Sequence, residues 1–306
     1  MTRNVAASVH QLLLNHARAT GRPFNETLQY FVLERFLYRL GQSSYAQTFV
    51  LKGALMLTAW QGPSVRSTRD VDLLGHLSNS IDRVVEAIKA ICIEPAPVDD
   101  GLIFDAESIA GERIVEGADY QGVRVHIWSY LGNARIRVQV DVGFGDPVVP
   151  PPALVQLPTI LDFPPPLVRG YSRESAIAEK FHAMVFHGEI NSRMKDFFDI
   201  WTLATQFHFD GQTLMDAIRA TFQYRQSELQ VTPVALTDAF ASRNDKQAQW
   251  AAFTRRLSLD GEPPALSEVV QLIASFLQPV TIALSEHRLF DQHWPPGGPW
   301  QKTPVS

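Results

Sequence analysis

The stretch RDVDLLG at residues 69–75 decides how the fold is read. Side chains on an extended strand alternate between its faces, so Val71 and Leu73 share one side while Asp70 and Asp72 share the other. Two carboxylates therefore point the same way from a strand whose opposite face is apolar. Upstream, TFVL at 48–51 reads as a short buried strand, Lys52-Gly53 as a tight turn, and ALMLTAW at 54–60 as a helix entered directly from it. Downstream, SNSIDRVVEAIKAIC carries a Ser or Asn cap and a helical stripe of Ile81, Val84, Val85 and Ile88. Beyond it, Val123, Val125 and Ile127 alternate with Arg124, His126 and Trp128. Ile136, Val138, Val140 and Val142 likewise alternate with Arg135, Arg137, Gln139 and Asp141. Both segments predict half-buried antiparallel strands, and the second carries a third carboxylate on its polar face.

Working outward, residues 5–20 place Val5, Val9, Leu12, Leu13 and His16 at helical spacing, and residues 25–41 do the same with Leu28, Phe31, Val32, Phe36 and Leu37. From PPP at 150–152 through FPPP at 163–166, proline argues against regular structure and marks a connector. The remainder reads as helical. SRESAIAEKFHAMVFHG has a serine cap and a glycine stop, SRMKDFFDIWTLATQF has another serine cap, and helices follow near 211–222, 233–241, 243–257 and 265–284. The tail HWPPGGPWQKTPVS is too rich in Pro and Gly for a helix. The expected fold is α+β, a mixed sheet flanked by helices plus a C-terminal helical domain. Its divisions are 1–160 for the N-terminal helices and core, 161–290 for a helical domain contributing to an active cleft, and 291–306 for a Pro/Gly-rich tail.

The 306 residues, 45% of them hydrophobic, suffice for a substantial core. No run approaches the roughly 20 uninterrupted apolar residues that span a bilayer, and the N-terminus lacks a signal-peptide apolar region. The expectation is a cytoplasmic protein with no membrane partner. A single cysteine, Cys92, excludes an intramolecular disulfide and a Cys-based zinc site, and is expected to be buried in its helix. A formal net charge of −5 gives no global basic footprint, so any nucleic-acid contact must come from a local patch. Arg124, Arg135, Arg137 and Arg173 are the candidates for one.

An Asp-x-Asp pair on one strand and a third aspartate on a neighbour supply what a two-metal phosphoryl-transfer site needs, because Mg²⁺ takes oxygen ligands in octahedral geometry. Taken alone, such a pair is more often a solvated strand end. The glycine turn adds backbone N–H groups at a helix N-terminus, an anion site lined by Gly53 and Ala54. Arg66 and Arg69 flank the carboxylates, either to neutralise phosphate charge or simply as local counter-charges. Lys180 flanks an apolar stripe of Ile177, Phe181, Met184 and Val185. Asp196 and Asp199, three apart on their helix, share a face and can orient Lys180, Lys195 or a hydroxyl. His182 and His187 read as packing or surface residues.

The blocks VLKGALML, VRSTRDVDLL, VQVDVGFGD, AEKFHAM and RMKDFFDI together resemble the AbiEii/AbiGii-type nucleotidyltransferase toxins, including the mycobacterial MenT enzymes, within the DNA polymerase β-like nucleotidyltransferase superfamily. The blocks span residues 48–204. The resemblance implies the nucleotidyltransferase fold, with Asp70, Asp72 and Asp141 as ligands of Mg²⁺, or alternatively Mn²⁺. Lys52, Gly53, Ala54, Arg66, Thr68, Lys180 and Asp196 would be nucleotide-binding, and Asp70, Asp72, Lys180 and Asp199 catalytic. Ala54 departs from the pattern, standing where family members often carry a second glycine and the wider superfamily a serine that donates a hydrogen bond to phosphate. The implied reaction moves an NMP from an NTP to an acceptor hydroxyl, the 3′ end of tRNA, blocking translation, with a cognate antitoxin as restraint. A small-molecule or protein acceptor, and a non-catalytic nucleotide-binding module, are the alternatives. Lys180, Asp196 and Asp199 are expected to approach the aspartate triad from the helical side.

Overall fold

Two helices, α1 (Val5–Thr20) and α2 (Phe24–Gln42), open the chain, and Asn4 caps the first by accepting the Ala7 amide at 3.1 Å. This computed structural model describes residues 4–61, 68–116, 120–257 and 261–302. Its chain divides into two units, Met1–Gly145 with Ala153–Tyr171, and Asp146–Pro152 with Ser172–Ser306.

In the first unit the helices are followed by β1 (Phe49–Lys52), α3 (Ala54–Gln61), β2 (Asp70–Gly75), α4 (Ile81–Ile93), β3 (Leu102–Glu116), β4 (Tyr120–Leu131), β5 (Ala134–Phe144), β6 (Ala153–Gln156) and β7 (Leu167–Gly170). The strands form one seven-stranded mixed sheet in the order β3-β4-β5-β2-β1-β7-β6. β2 is central, antiparallel to β1 and parallel to β5. Its burial alternates as the sequence requires, Val71 and Leu73 wholly inside and Asp70 and Asp72 half-exposed. On α4, Ser80 accepts the Arg83 amide as its cap, and Val84, Ala87, Ile88 and Ile91 are buried. Cys92 is buried there too, which pushes its thiol up to about 12.

The helix α2 is buried almost without interruption from Thr27 to Leu40, Glu34, Arg35 and Arg39 included. Buried charge persists only when it is partnered. Arg39 binds Asp100 with two parallel hydrogen bonds, 2.8 and 3.0 Å, and Arg35 lies 3.0 Å from Glu34. Burial lifts the Glu34 carboxyl to about 7 although Arg35 pulls it down. The same helix fastens the proline-rich stretch. Tyr30 donates to the Pro158 carbonyl at 3.0 Å, Arg35 to Pro164 at 2.6 Å, and Glu34 accepts the Ile160 amide at 3.0 Å. That stretch is not merely a connector, since it supplies β6 and leads directly into β7; β6 itself is a proline-free edge strand flanked by Pro152 and Pro158.

The second unit contains α5 (Arg173–His187), α6 (Met194–Gln206), β8 (Phe209–Asp210), α7 (Gly211–Tyr224), α8 (Asp238–Ala241), α9 (Asn244–Thr254), α10 (Leu266–Ser285), β9 (Gln292–Trp294) and β10 (Gln301–Lys302). Ser172 caps α5 as expected, accepting the Ser175 amide at 3.1 Å. Ser192 does not cap α6. That helix starts two residues later, after Arg193, whose guanidinium instead reaches back onto Asp196 in the first turn. Among the described residues, α10 alone is long and apolar enough to cross a membrane by length and composition. It serves as a core helix, packed on α6, α7 and α8 with Val269, Ile273, Phe276 and Val280 buried. The Pro/Gly-rich tail closes over it through Trp300, which donates to the Phe276 carbonyl at 2.8 Å.

Between α5 and α7 in this unit, Arg225 donates to His182 Nδ1 at 3.2 Å and to Asp146 at 2.9 Å, so His182 presents its Nε2–H to Ser227 at 2.7 Å. Burial, then the Arg225 charge, lowers His182 to about 4. A folded-state value below the unfolded ~6.5 means the unfolded chain takes the proton first, so stability is lost as pH falls from about 6.5 towards 4. This residue should cost about 2 kcal/mol between pH 7 and pH 5. Urea titrations at the two pH values should show the parent losing about 2 kcal/mol more than His182→Gln, which keeps an acceptor and a donor but no titrating ring; the opposite contribution of the raised Glu34 carboxyl is common to both and cancels in the difference.

Candidate active site

Strand register places four charged residues in one row across the sheet: Lys52 on β1 opposite Asp72 on β2, Asp72 opposite Asp141 on β5, and Asp141 opposite Arg124 on β4. The parallel pairing of β2 with β5 brings the third carboxylate beside the first two. One carboxylate oxygen from each of Asp70, Asp72 and Asp141 falls within 4.8 Å of the others. All three are half-buried, at the rim of the apolar core rather than within it.

Neighbours hold these carboxylates in place. Arg124 grips Asp141 through two hydrogen bonds, Nε to Oδ1 at 2.8 Å and a terminal nitrogen to Oδ2 at 2.7 Å, and Gln139 adds a third to Oδ2 at 3.1 Å. The bonds to Asp141 hold the Arg124 guanidinium above its ordinary value. Thr68 donates to Asp70 Oδ1 at 2.6 Å. Gly53, at φ 71°, turns the chain from β1 into α3 so closely over Asp72 that an added Cβ would run into that carboxylate. Ala54 opens α3 and is buried, and the Lys52 ammonium stands 5.6 Å over the Tyr171 ring. Three hard oxygen donors at this spacing, supported by hydrogen bonds and lined on one side by a glycine cradle, fit a divalent cation of the Mg²⁺ type.

In the second unit, Lys180 on α5 donates to Asp199 at 2.8 Å and to Asp196 at 3.3 Å, both on α6. Arg193 adds a 2.6 Å bond to Asp196. Burial drives the Asp196 carboxyl up, yet Lys180, Arg193 and Lys195 outweigh it and hold that group below the usual carboxylate range. The helical spacing of Asp196 and Asp199 thus makes a two-carboxylate clamp for one ammonium.

Arg66 lies outside the described residues. The four arginines considered as a patch have different surroundings. Arg124 is committed to Asp141, Arg173 lies 4.4 Å over Phe207 in the second unit, and Arg135 and Arg137 stand exposed on β5. Sequence reading missed the supports from Arg124 and Gln139 and the role of Gln29, which donates to the Arg69 and Arg137 carbonyls at 3.3 and 3.4 Å. Only knowledge of which strand lies beside which reveals them.

Two solved Helicobacter pylori structures resemble the chain, the JHP933 protein and a protein provisionally assigned as a nucleotidyltransferase. Each has 14% identity and a TM-score of 0.46 over 90% of this chain, covering 94% and 98% of theirs respectively. No curated protein matches. The family model for the nucleotidyl transferase AbiEii toxin of type IV toxin–antitoxin systems matches residues 35–272, taking in the carboxylate row, the glycine turn and the Lys180 clamp. The chain therefore belongs to the AbiEii family of nucleotidyltransferase toxins.

Proposed function

We propose that the chain transfers a nucleoside monophosphate from an NTP to the 3′-terminal hydroxyl of tRNA, using Mg²⁺, or Mn²⁺ in its place, held by Asp70, Asp72 and Asp141. The observation that carries this reading is the convergence of three carboxylate oxygens from two adjacent strands within 4.8 Å. Bound there, the ions would neutralise charge on the α-phosphate and on the departing pyrophosphate and make the acceptor hydroxyl more acidic.

The chain's own residues do the rest. Thr68, Arg124 and Gln139 orient the carboxylates in advance, so little reorganisation accompanies loading. Amides at the start of α3, at Gly53 and Ala54, face the phosphates with Lys52 beside them. Lys180, its ammonium fixed by Asp196 and Asp199, serves the triphosphate, and Arg66 joins Thr68 in nucleotide binding. As the acceptor oxygen bonds to the α-phosphorus and gives up its proton to solvent, the bond from that phosphorus to the β-bridging oxygen breaks and pyrophosphate leaves. A blocked 3′ end prevents aminoacylation, which stops translation in the cytoplasm until the cognate antitoxin restrains the enzyme.

The test is incubation of the protein and its Asp70→Ala variant with Mg²⁺, total tRNA and each NTP in turn, labelled on the α-phosphate. Label on tRNA that is absent with the variant is the expected result. Label on protein or on a small molecule would replace the acceptor, and no label anywhere would favour a nucleotide-binding module, to which the departure at Ala54 points.

A further inference from the structure

The first register pair between β2 and β5 is Asp70 with Gln139, yet β5 begins at Ala134. Residues 134–138 therefore have β4 on one side and, among the described residues, no strand on the other. An open strand edge normally invites pairing. Here Gln29 from the second turn of α2 reaches across and binds the Arg137 carbonyl together with that of Arg69. The result is a groove of about 550 Å³ between the N-terminal turns of α2 and the unpaired edge of β5.

The groove adjoins the carboxylates. Thr68 and Gln139, which bond Asp70 and Asp141, line it, and Arg69, Arg135 and Arg137 supply its cations, among uncharged side chains such as Gln29 and Ile136. Glu26 is the acidic side chain in its wall. Along the polar face of β4 and β5, the rows running away from Arg124–Asp141 are His126–Gln139, Trp128–Arg137 and Tyr130–Arg135. Arg135 lays its guanidinium 3.6 Å over the Trp128 ring, forming a flat cationic–aromatic surface, with Asp105 of β3 opposite Trp128. At ~3.3 Å per residue, the path from Asp141 to Arg135 is ~20 Å, with side chains on the same face ~6.6 Å apart, a length that suits a few nucleotides of an extended single strand.

We infer that this groove is the acceptor subsite and takes a single-stranded polynucleotide terminus, with Arg69, Arg135 and Arg137 on its phosphates and the Trp128–Arg135 surface against a base. The inference rests on the transferase reading above and names where that reaction's acceptor lies. The anion-binding turn at Gly53 lies against Asp72 on the β1 side, whereas the groove adjoins Asp70 and Asp141, so in-line displacement puts the leaving pyrophosphate and the acceptor on opposite flanks. Cations and planar rings repeating every second residue suit a chain of phosphates and bases. A small metabolite needs no such length.

Binding of a 5′-labelled single-stranded RNA octamer to the full chain without NTP tests this apart from catalysis. Arg135→Gln with Arg137→Gln should weaken binding at least about tenfold and flatten the salt dependence by about 1.4 in the log–log slope, ~0.7 per lost phosphate contact. Trp128→Ala should also weaken it about tenfold, and Trp128→Phe should recover part of that loss. The substituted side chains are at the surface, and unchanged melting of each variant establishes that it is folded. Unaltered affinity in the double variant overturns the inference. So does displacement of the RNA by poly-glutamate at equal charge concentration, which would mark a site for acidic protein. If the parent labels RNA and the double variant does so with the same acceptor KM, the groove assignment falls while the transferase reading stands. If the octamer binds through these residues yet no RNA is ever labelled, the groove stands as a polynucleotide site and the transferase reading falls.

Discussion

Gly53→Ala is expected to lower nucleotidyl transfer at least about 10³-fold, nearly matching Asp72→Ala, although it removes no functional group. A thousandfold loss corresponds to about 4 kcal/mol of transition-state stabilisation. Asp72→Ala incurs it directly, by deleting one of the three converging carboxylates to which the proposed function assigns the metal. Gly53→Ala incurs it by displacement. The added Cβ meets the Asp72 carboxylate, with Cγ at 2.7 Å and Cβ at 2.8 Å, so either the aspartate leaves its row or the turn moves. If the turn moves to escape φ 71°, the first amides of α3 swing away with it. Neither escape preserves both the carboxylate position and the amide donors. The folding cost should stay near the ~1–2 kcal/mol of a left-handed non-glycine residue. Steady-state label transfer together with a urea titration separates the two effects. Retention of more than a tenth of the parent activity would mean that Asp72 need not sit where it does.

What the sequence disclosed about this site follows from periodicity. Period two put Asp70 and Asp72 on one face and Asp141 on the polar face of β5, and burial follows that alternation from Asp70 to Leu73 and from Ile136 to Val142. Periodicity says nothing about which strands are neighbours. The Arg124–Asp141 pair joins residues 17 apart, and the Gln29 bond to Arg137 joins residues 108 apart. Both depend on tertiary register. β3 escaped reading for a different reason. Its pairing with β4 slips between Asp105 and Ala110, and that irregularity breaks the alternation by which a strand is recognised. In β6 and β7 the signal was four residues long and set among prolines, too short to outweigh them. The buried charges of α2 were invisible for the opposite reason. A helix carrying Glu34, Arg35 and Arg39 reads as having a solvated face, and only the packing of α1, α4, β5, β7 and the 157–166 stretch around it reveals otherwise.

Arg39→Ala should destabilise the chain by about 3–5 kcal/mol, the cost of leaving one partner of a buried ion pair without the other. Both groups are almost wholly enclosed, side-chain exposure being 7% for Arg39 and 2% for Asp100. The guanidinium makes more than the pair, donating to the Arg35 carbonyl at 3.1 Å and lying 5.0 Å over the Phe104 ring. Asp100 in turn accepts the Leu102 amide at 3.1 Å, which fixes the entry to β3. Removal of the arginine strands a carboxylate that retains one backbone donor. Asp100→Asn in the Arg39→Ala background should recover part of the loss, because it removes the uncompensated charge and retains an acceptor for Leu102. Urea unfolding of the parent, both single variants and the double variant gives the coupling energy. A coupling near zero would show that α2 is held by its apolar surface alone. A coupling of several kcal/mol would show that this ion pair, in the same unit as the carboxylate row, is part of what anchors α2, the helix whose N-terminal turns wall the groove beside Asp70.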